Sequence, residues 1–281
     1  MPPPAGLGLG PIYSQYQVLQ IVPTVACQIT DRLSIGVSPM LDLAYLSLDP
    51  AIFASPSPAG YPTGTHTLFN WGMGFQLGAY YTTDSNWNFG ASLKSPQWFQ
   101  DFRYHAQGPT GAPRTLNFGL DFPMMVSLGT SYTGFERLTL ALDTRYLDYN
   151  NTKGWSHSGF DATGAAQGLG WNNVYTTSVG AQYCWTDAIT LRSGYSFGTN
   201  PIPPSQTFFN AASPLLIQHT VYLGASYNLT SCVQFSVAYA HMFQNSSTGP
   251  VVLPGLGPIP GTSVTSTAAA DSLIAGMAVR F

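Results

Sequence analysis

The sequence predicts an all-β protein, a transmembrane antiparallel up-and-down β-barrel, and three observations carry that expectation. Apolar residues recur at every second position through most of the chain and almost nowhere at the helical spacing. The opposite strand faces carry Gly, Ser, Thr, Gln and Asn in place of the Lys and Glu that keep a soluble sheet dissolved. Short polar turns alternate with long Gly/Pro/Ser/Asn-rich loops, the layout of a barrel trimmed on its periplasmic side and shaggy outside.

The elements follow in order. Residues 16–29 form the first candidate strand, and the turn "TDR" at 30–32 leads into a strand over 33–45. Beyond a loop near 47–68 come strands over 71–81 and 87–93, joined by "TDSN" at 83–86. A loop near 105–120 precedes strands over 124–132 and 138–142, joined by "GFE" at 134–136. A loop near 150–171 precedes strands over 175–185 and 189–197, joined by "TD" at 186–187. A loop near 199–216 precedes strands over 217–229 and 233–243, joined by "TS" at 230–231. After a last loop near 245–269 the chain runs out through "DSLIAGMAVRF", whose Leu273, Ala275, Met277, Val279 and Phe281 share one face. The count is about eleven strands, and residues 1–281 read as one barrel domain.

Composition says which side of each strand meets which solvent. Charged residues are 7% of the chain, against about 25% in soluble domains, while 44% is apolar. A water-facing surface is hard to build from that, so the apolar faces are expected to meet lipid and the small polar faces to line an interior. No run approaches the roughly 18 apolar residues of a membrane helix. Net charge is −3 and basic residues never cluster, which excludes nucleic acid as a partner because phosphate binding needs a concentrated positive stripe. The start "MPPPAGLGLGPIYS" has neither basic nor apolar signal-peptide regions. Cys27, Cys184 and Cys232 are odd in number and far apart, and are expected to be small packing residues. By parity Tyr81, Trp87, Tyr132, Tyr183, Trp185, Tyr227 and Phe281 all point to the apolar face, and all but Phe281 lie near a short turn. They are expected to form one ring at the headgroup level, where an aromatic body meets hydrocarbon and its hydroxyl or N–H meets water.

Four stretches, "WGMGFQLGAYYTTDSNWNFGASLKSPQWF" (71–99), "DFPMMVSLGTSY" (121–132), "TLRSGYSFGTNPIP" (190–203) and "YLGASYNLTSCVQFSVAYAHMF" (222–243), together with Phe281, carry a resemblance. In series the chain resembles the long-chain fatty acid and aromatic hydrocarbon transporters of the Gram-negative outer membrane. The resemblance implies a barrel of about fourteen strands, in the even-numbered range, plugged by an N-terminal hatch and releasing cargo sideways at a kinked early strand. With about eleven strands counted, the signal peptide, the hatch and the first strands are expected to precede Met1. It further implies an outer-membrane location, hydrophobic small-molecule cargo, lipid and no nucleic acid as partners, a monomer, no cofactor or metal, and no enzymatic activity. A general diffusion porin and a structural or adhesive barrel are the alternatives, the first weakened by the scarcity of interior charge.

Candidate ligand-binding residues follow from parity and from the resemblance. Lys94, inward in "SLKSPQWF" where the family tends to carry a basic residue, is expected to meet a carboxylate. Arg192 in "LRSGY" also points inward, either toward a ligand or paired with Asp143 or another interior carboxylate. Trp98, Tyr80, Tyr222 and Met40 are expected inward, touching an apolar ligand or filling space. Pro96 marks a bulge or edge. The apolar loops "LDPAIFASPSPAGYP" and "VVLPGLGPIPG" either capture cargo or pack together as a cap. His66, His105 and His157 lie in loops without partners at ligand spacing, and His219 and His241 fall on the apolar face. "GMGFQLG" sits inside a strand with no helix after it, so it is not a dinucleotide fingerprint.

Overall fold

The computed structural model describes residues 12–57, 60–64, 69–107 and 112–280. Its strands are β1 (Tyr13–Ile21), β2 (Val25–Gln28), β3 (Leu33–Asp49), β4 (Asn70–Thr82), β5 (Trp87–Lys94), β6 (Trp98–Phe99), β7 (Phe102–Gln107), β8 (Pro113–Phe118) and β9 (Met125–Tyr132). They continue with β10 (Leu138–Leu147), β11 (Val174–Cys184), β12 (Ile189–Gly198), β13 (His219–Asn228), β14 (Val233–Gly249), β15 (Val252–Leu253), β16 (Gly257–Pro258) and β17 (Val264–Val279). One antiparallel sheet runs β1-β3-β4-β5-β9-β10-β11-β12-β13-β14-β17, with β2 also on β3 and β6 on β4. The path follows chain order throughout, skipping only the short strands β2, β6–β8, β15 and β16, and the result is a partial barrel of the expected up-and-down kind.

Period-two patterning places each strand because one face is greasy and the other small, so a one-residue slip would exchange them. The pairing Ser34↔Tyr80, Gln76↔Lys94 and Asp42↔Gly72 collects polar and small residues on one face. Leu223↔Tyr239 and Phe235↔Met277 collect apolar ones on the other. Leu223 is 55% exposed, and its outward neighbours Val237, Leu273 and Met277 are exposed as well. A contiguous apolar exterior of that extent fits lipid and not water. The ring at the short-turn end is present: Trp87 stands opposite Tyr132 with ring centroids 5.0 Å apart, and Tyr81, Tyr183, Trp185 and Tyr227 are all exposed. Phe281 lies outside the described residues. Toward the loop end, His219 and His241 do lie outward, His219 beside the Tyr195 hydroxyl at 2.6 Å. The Asp271 carboxylate there accepts from Tyr239 at 2.6 Å and meets His241 Nδ1 at 2.8 Å.

Several expectations are corrected. β14 and β17 extend to Gly249 and back to Val264, so both ends of the expected last loop are wall. A one-residue bulge between Met242 and Asn245 keeps the pairing in step. The loop near 105–120 contains the hairpin β7–β8. The first strand breaks into β1 and β2 at Val22–Thr24 because Pro23 falls opposite Pro39 in register, and neither has an N–H to give. There the Thr24 and Ser38 hydroxyls, 2.8 Å apart, bridge the strands instead. The cysteines are unpaired, and Cys27 and Cys232 are exposed, so a packing role fits only Cys184.

Trp98 is the most consequential correction. β4 pairs with β5 up to Gln76↔Lys94 and then with β6 at Met73↔Trp98 and Gly72↔Phe99, a register advanced by one residue. Ser95–Pro96 is that extra residue's site, and Ser95 repairs the ladder: its N–H donates to Phe75 O and its Oγ accepts from Phe75 N, both at 2.9 Å. Parity therefore inverts past Pro96. Trp98 stands 50% exposed on the outward face beside Met73, while Phe99 turns inward over Gly72, where a Cβ would lie 2.5 Å from its ring.

Candidate functional site

The inner side holds an apolar and a polar compartment. The first lies beneath the loops, where alternation stops and aromatic residues crowd among Gly, Ser and Asn. Tyr16, Leu46 and Leu48 at the loop ends of β1 and β3 meet Phe118 of β8, Leu120, Trp155 and Trp171, and Phe208 and Phe209 from a short 3-10 turn. Together they surround an apolar cavity of ≈ 100 Å³. Tyr149, Trp155 and Trp171 have ring centroids 4.3–5.2 Å apart, within contact range for aromatic pairs.

Hydrogen bonds hold these rings in place. Trp155 Nε1 donates to Asp121 O at 2.7 Å, and Trp171 Nε1 donates to Asn210 Oδ1 at 2.6 Å. Asn210 Nδ2 donates onward to Leu169 O and Gln206 O, both at 2.9 Å, so the loops over 149–173 and 203–213 share one anchor. Burial raises the Tyr149 phenol to about 12. Tyr61, whose hydroxyl donates to Gly164 O at 2.8 Å, is likewise raised to about 12, first by burial and then by Asp161. Burial also pushes the Asp121 carboxyl up, against the Phe99 N–H and Lys153 that favour its ionised form. Asp161 moves the other way, held down chiefly by the Thr163 hydroxyl and then by the Ala165 N–H.

The second compartment is polar, a passage of ≈ 540 Å³ along the inner faces of β3, β4, β5, β9 and β10, lined by Ser34, Gln76, Tyr80, Lys94, Asp143 and Arg145 among others. Beside it sits a network around Asp42, which is 0% exposed. Gln20, directly across from Asp42, donates to its Oδ1 at 2.7 Å, and Lys94 Nζ donates to Gln20 Oε1 at 3.3 Å. Gln20 Nε2 also donates to Gln97 Oε1 at 2.6 Å, tying the two amides together beside the carboxylate. A buried carboxylate needs a hydrogen-bond donor and a nearby counter-charge: Gln20 donates to it, and Lys94, bonded to the same Gln20, is the nearby cation.

Of the six residues expected from the sequence, Lys94 and Tyr80 share this passage. Met40 faces inward but is covered, 1% exposed, opposite Gly74, whose missing Cβ makes room for Gln97 and Pro96. Arg192 and Tyr222 point inward on β12 and β13, away from the passage lining. Arg192 is bonded to Gln182 Oε1 at 2.8 Å and Ser226 Oγ at 2.6 Å, not to Asp143, because its register partners are Gln182 and Gly224. Trp98 is outside. None of the six lines the aromatic cavity. Its signal in the sequence was the occurrence of Trp155, Trp171 and the pair Phe208–Phe209 in segments with no strand period. Of the two loops expected to capture or to cap, the first contributes Ile52 and Phe53 to the cavity wall, and the second buries Val252 against Ala166 and Phe209. Among the described residues no group of three or more His, Cys, Asp or Glu could hold a metal.

The family described as outer membrane protein transport protein (OMPP1/FadL/TodX) matches residues 11–281. The chain belongs to this family. No curated protein matches it. Among solved structures, the P. putida toluene transporter TodX is 16% identical, covering 95% of this chain and 70% of its own, with a TM-score of 0.66. The Ralstonia pickettii toluene transporter TbuX gives 16%, 95%, 68% and 0.66, and a Pseudomonas aeruginosa FadL homologue 16%, 95%, 68% and 0.69. Likeness at that identity establishes the barrel fold. As a member of the OMPP1/FadL/TodX family the protein resides in the Gram-negative outer membrane, a setting that its exposed apolar strand faces suit.

Proposed function

We propose that this protein carries small apolar aromatic molecules across the outer membrane, catching them in the cavity beneath the loops. The cavity's size and lining support the reading: ≈ 100 Å³ is the scale of the engineered pocket of about 150 Å³ that binds benzene, and too small for a long acyl chain. The toluene cargo named for TodX and TbuX agrees with it. Burying the roughly 150–250 Å² of a single ring at about 25 cal/mol per Å² gives about 4–6 kcal/mol of gross driving force. Association costs several kcal/mol of that, leaving a weak, releasable complex, as a carrier requires.

In this scheme Tyr80 and Lys94 border the onward path, and Lys94 acts mainly as the counter-charge that keeps Asp42 and the glutamines folded. Arg192 and Tyr222 shape the far wall. Uptake of labelled p-xylene by cells lacking the gene, complemented with wild type or with Ala211→Trp at the cavity wall, tests the proposal. Wild type should restore uptake and Ala211→Trp should not. Restoration of long-chain fatty acid uptake alone, or large steady ion conductance in planar bilayers, would count against it.

A further inference from the structure

The outward faces of β13, β14 and β17 change character together. Counted from the short-turn end, each presents four apolar side chains at alternate positions: on β17 they are Val279, Met277, Ala275 and Leu273, and β13 from Tyr227 to Val221 and β14 from Val233 to Tyr239 do likewise. The fifth is polar on all three strands, as His219, His241 and Asp271. Asp271 lies eight residues from Val279, and at about 3.4 Å per residue and a tilt of about 40° that climb is roughly 20 Å, close to the roughly 25 Å apolar band of a membrane barrel. The hydrocarbon therefore ends at this level. Past the bulge β14 and β17 turn Asn245 and Ser247 inward, onto Leu216 O and the Thr207 hydroxyl. Their outward pairs are hydroxyls, Ser246 with Thr267 at 3.0 Å and Thr248 with Thr265 at 2.8 Å, all exposed.

We infer that His241, Asp271 and the hydroxyl ladder above them bind the sugar headgroup of a glycolipid in the leaflet at the loop end, while its acyl chains lie on the apolar wall below, against Val221 and Leu273. The polar groups are pre-set and still open. Asp271 Oδ1 takes both the Tyr239 hydroxyl and His241 Nδ1, and its Oδ2 has no hydrogen-bond partner among the described residues. Its side chain is 64% exposed and that of His241 42%, so both reach whatever borders the wall. A carboxylate accepts from two hydroxyls at once, and Ser and Thr hydroxyls both donate and accept, which complements a polyhydroxyl headgroup. A phosphate headgroup fits less well: β13, β14 and β17 carry no Lys or Arg, the residues that phosphate recognition uses, and Asp271 repels it. This reading does not rest on the cavity as cargo site.

Native mass spectrometry of the full detergent-solubilised chain, titrated with dioleoyl glucosyl-glycerol or with dioleoyl phosphatidylglycerol, tests this with the acyl chains held constant. Two variants are compared with wild type. His241→Leu with Asp271→Leu puts apolar side chains on a lipid-facing strand pair, and Thr248→Val with Thr265→Val removes two hydroxyls at nearly constant shape. Wild type should prefer the glucosyl lipid. Each variant should weaken that lipid by roughly two- to tenfold, the worth of one net hydrogen bond, and leave phosphatidylglycerol as in wild type, which also shows that the variant has kept its fold. The site stands if both variants lose the preference. It falls if either keeps it, if both lipids weaken equally, or if wild type shows no preference.

Discussion

Replacing Leu223 by Arg tests the assignment on which the rest depends, that the apolar strand faces look into lipid. Leu223 is in the middle of β13, outward, 55% exposed, with Ser193 and Tyr239 as its register partners. An Arg at the bilayer midplane on a barrel's lipid face costs roughly 2–4 kcal/mol, which shifts the folding equilibrium by roughly 30- to 700-fold. The control is Gly276→Arg on β17. Gly276 pairs with Ser236 on the inner face, and a Cβ there meets nothing within 4 Å, so a side chain can extend into the interior, and the change should stay below about 1 kcal/mol. Reversible urea unfolding in lipid vesicles, followed by tryptophan fluorescence, reads both variants. If Leu223→Arg were no worse than Gly276→Arg, the outward faces would not be in hydrocarbon and the barrel's inside and outside would have to be exchanged.

Two further predictions concern charges. Lys94→Met should destabilise the wall more than the double change Lys94→Met with Asp42→Asn, because the single variant leaves a fully buried carboxylate without its counter-charge; unfolding of the four members of the cycle should show a coupling of about 1–3 kcal/mol, and additivity would remove Lys94 from that role. Burial raises the Asp121 carboxyl, so its contribution is fully present below the ordinary carboxylate range and is lost as pH rises through the raised value. Asp121→Asn retains an oxygen to accept from Phe99 N–H, so its thermal midpoint should gain on wild type as pH rises from acidic to neutral; a constant difference would refute the burial.

The wall was legible because lipid on one side and small polar residues on the other impose a strict period of two. Leu33, Ile35 and Val37, or Val233, Phe235 and Val237, could be placed outward from spacing alone. Parity carried Tyr80, Lys94, Arg192 and Tyr222 inward correctly, since no irregularity lies between them and their strand's pattern. It failed for Trp98 because parity is counted, and Ser95–Pro96 adds one to the count. Arg192's partners were missed because which inner residues touch depends on register between strands, which Gln182 and Ser226 reveal only once paired. The cavity was illegible for another reason: Tyr16, Leu120, Trp155 and Phe209 come from four separate stretches whose meeting is decided by loop packing, with no period to announce it.

The extra residue at Ser95–Pro96 ties distant positions in this chain's ancestry to one another. Deleting one residue there would rotate everything after it by one face, sending the Trp98 indole toward Gly72 and the Phe99 ring into the acyl chains. Gly72 is tolerable only where a ring lies over it, and the ring lies over it only while the count between Lys94 and Phe99 is kept. In an alignment of homologues, a gap at 95–96 and a bulkier residue at 72 should therefore arrive together.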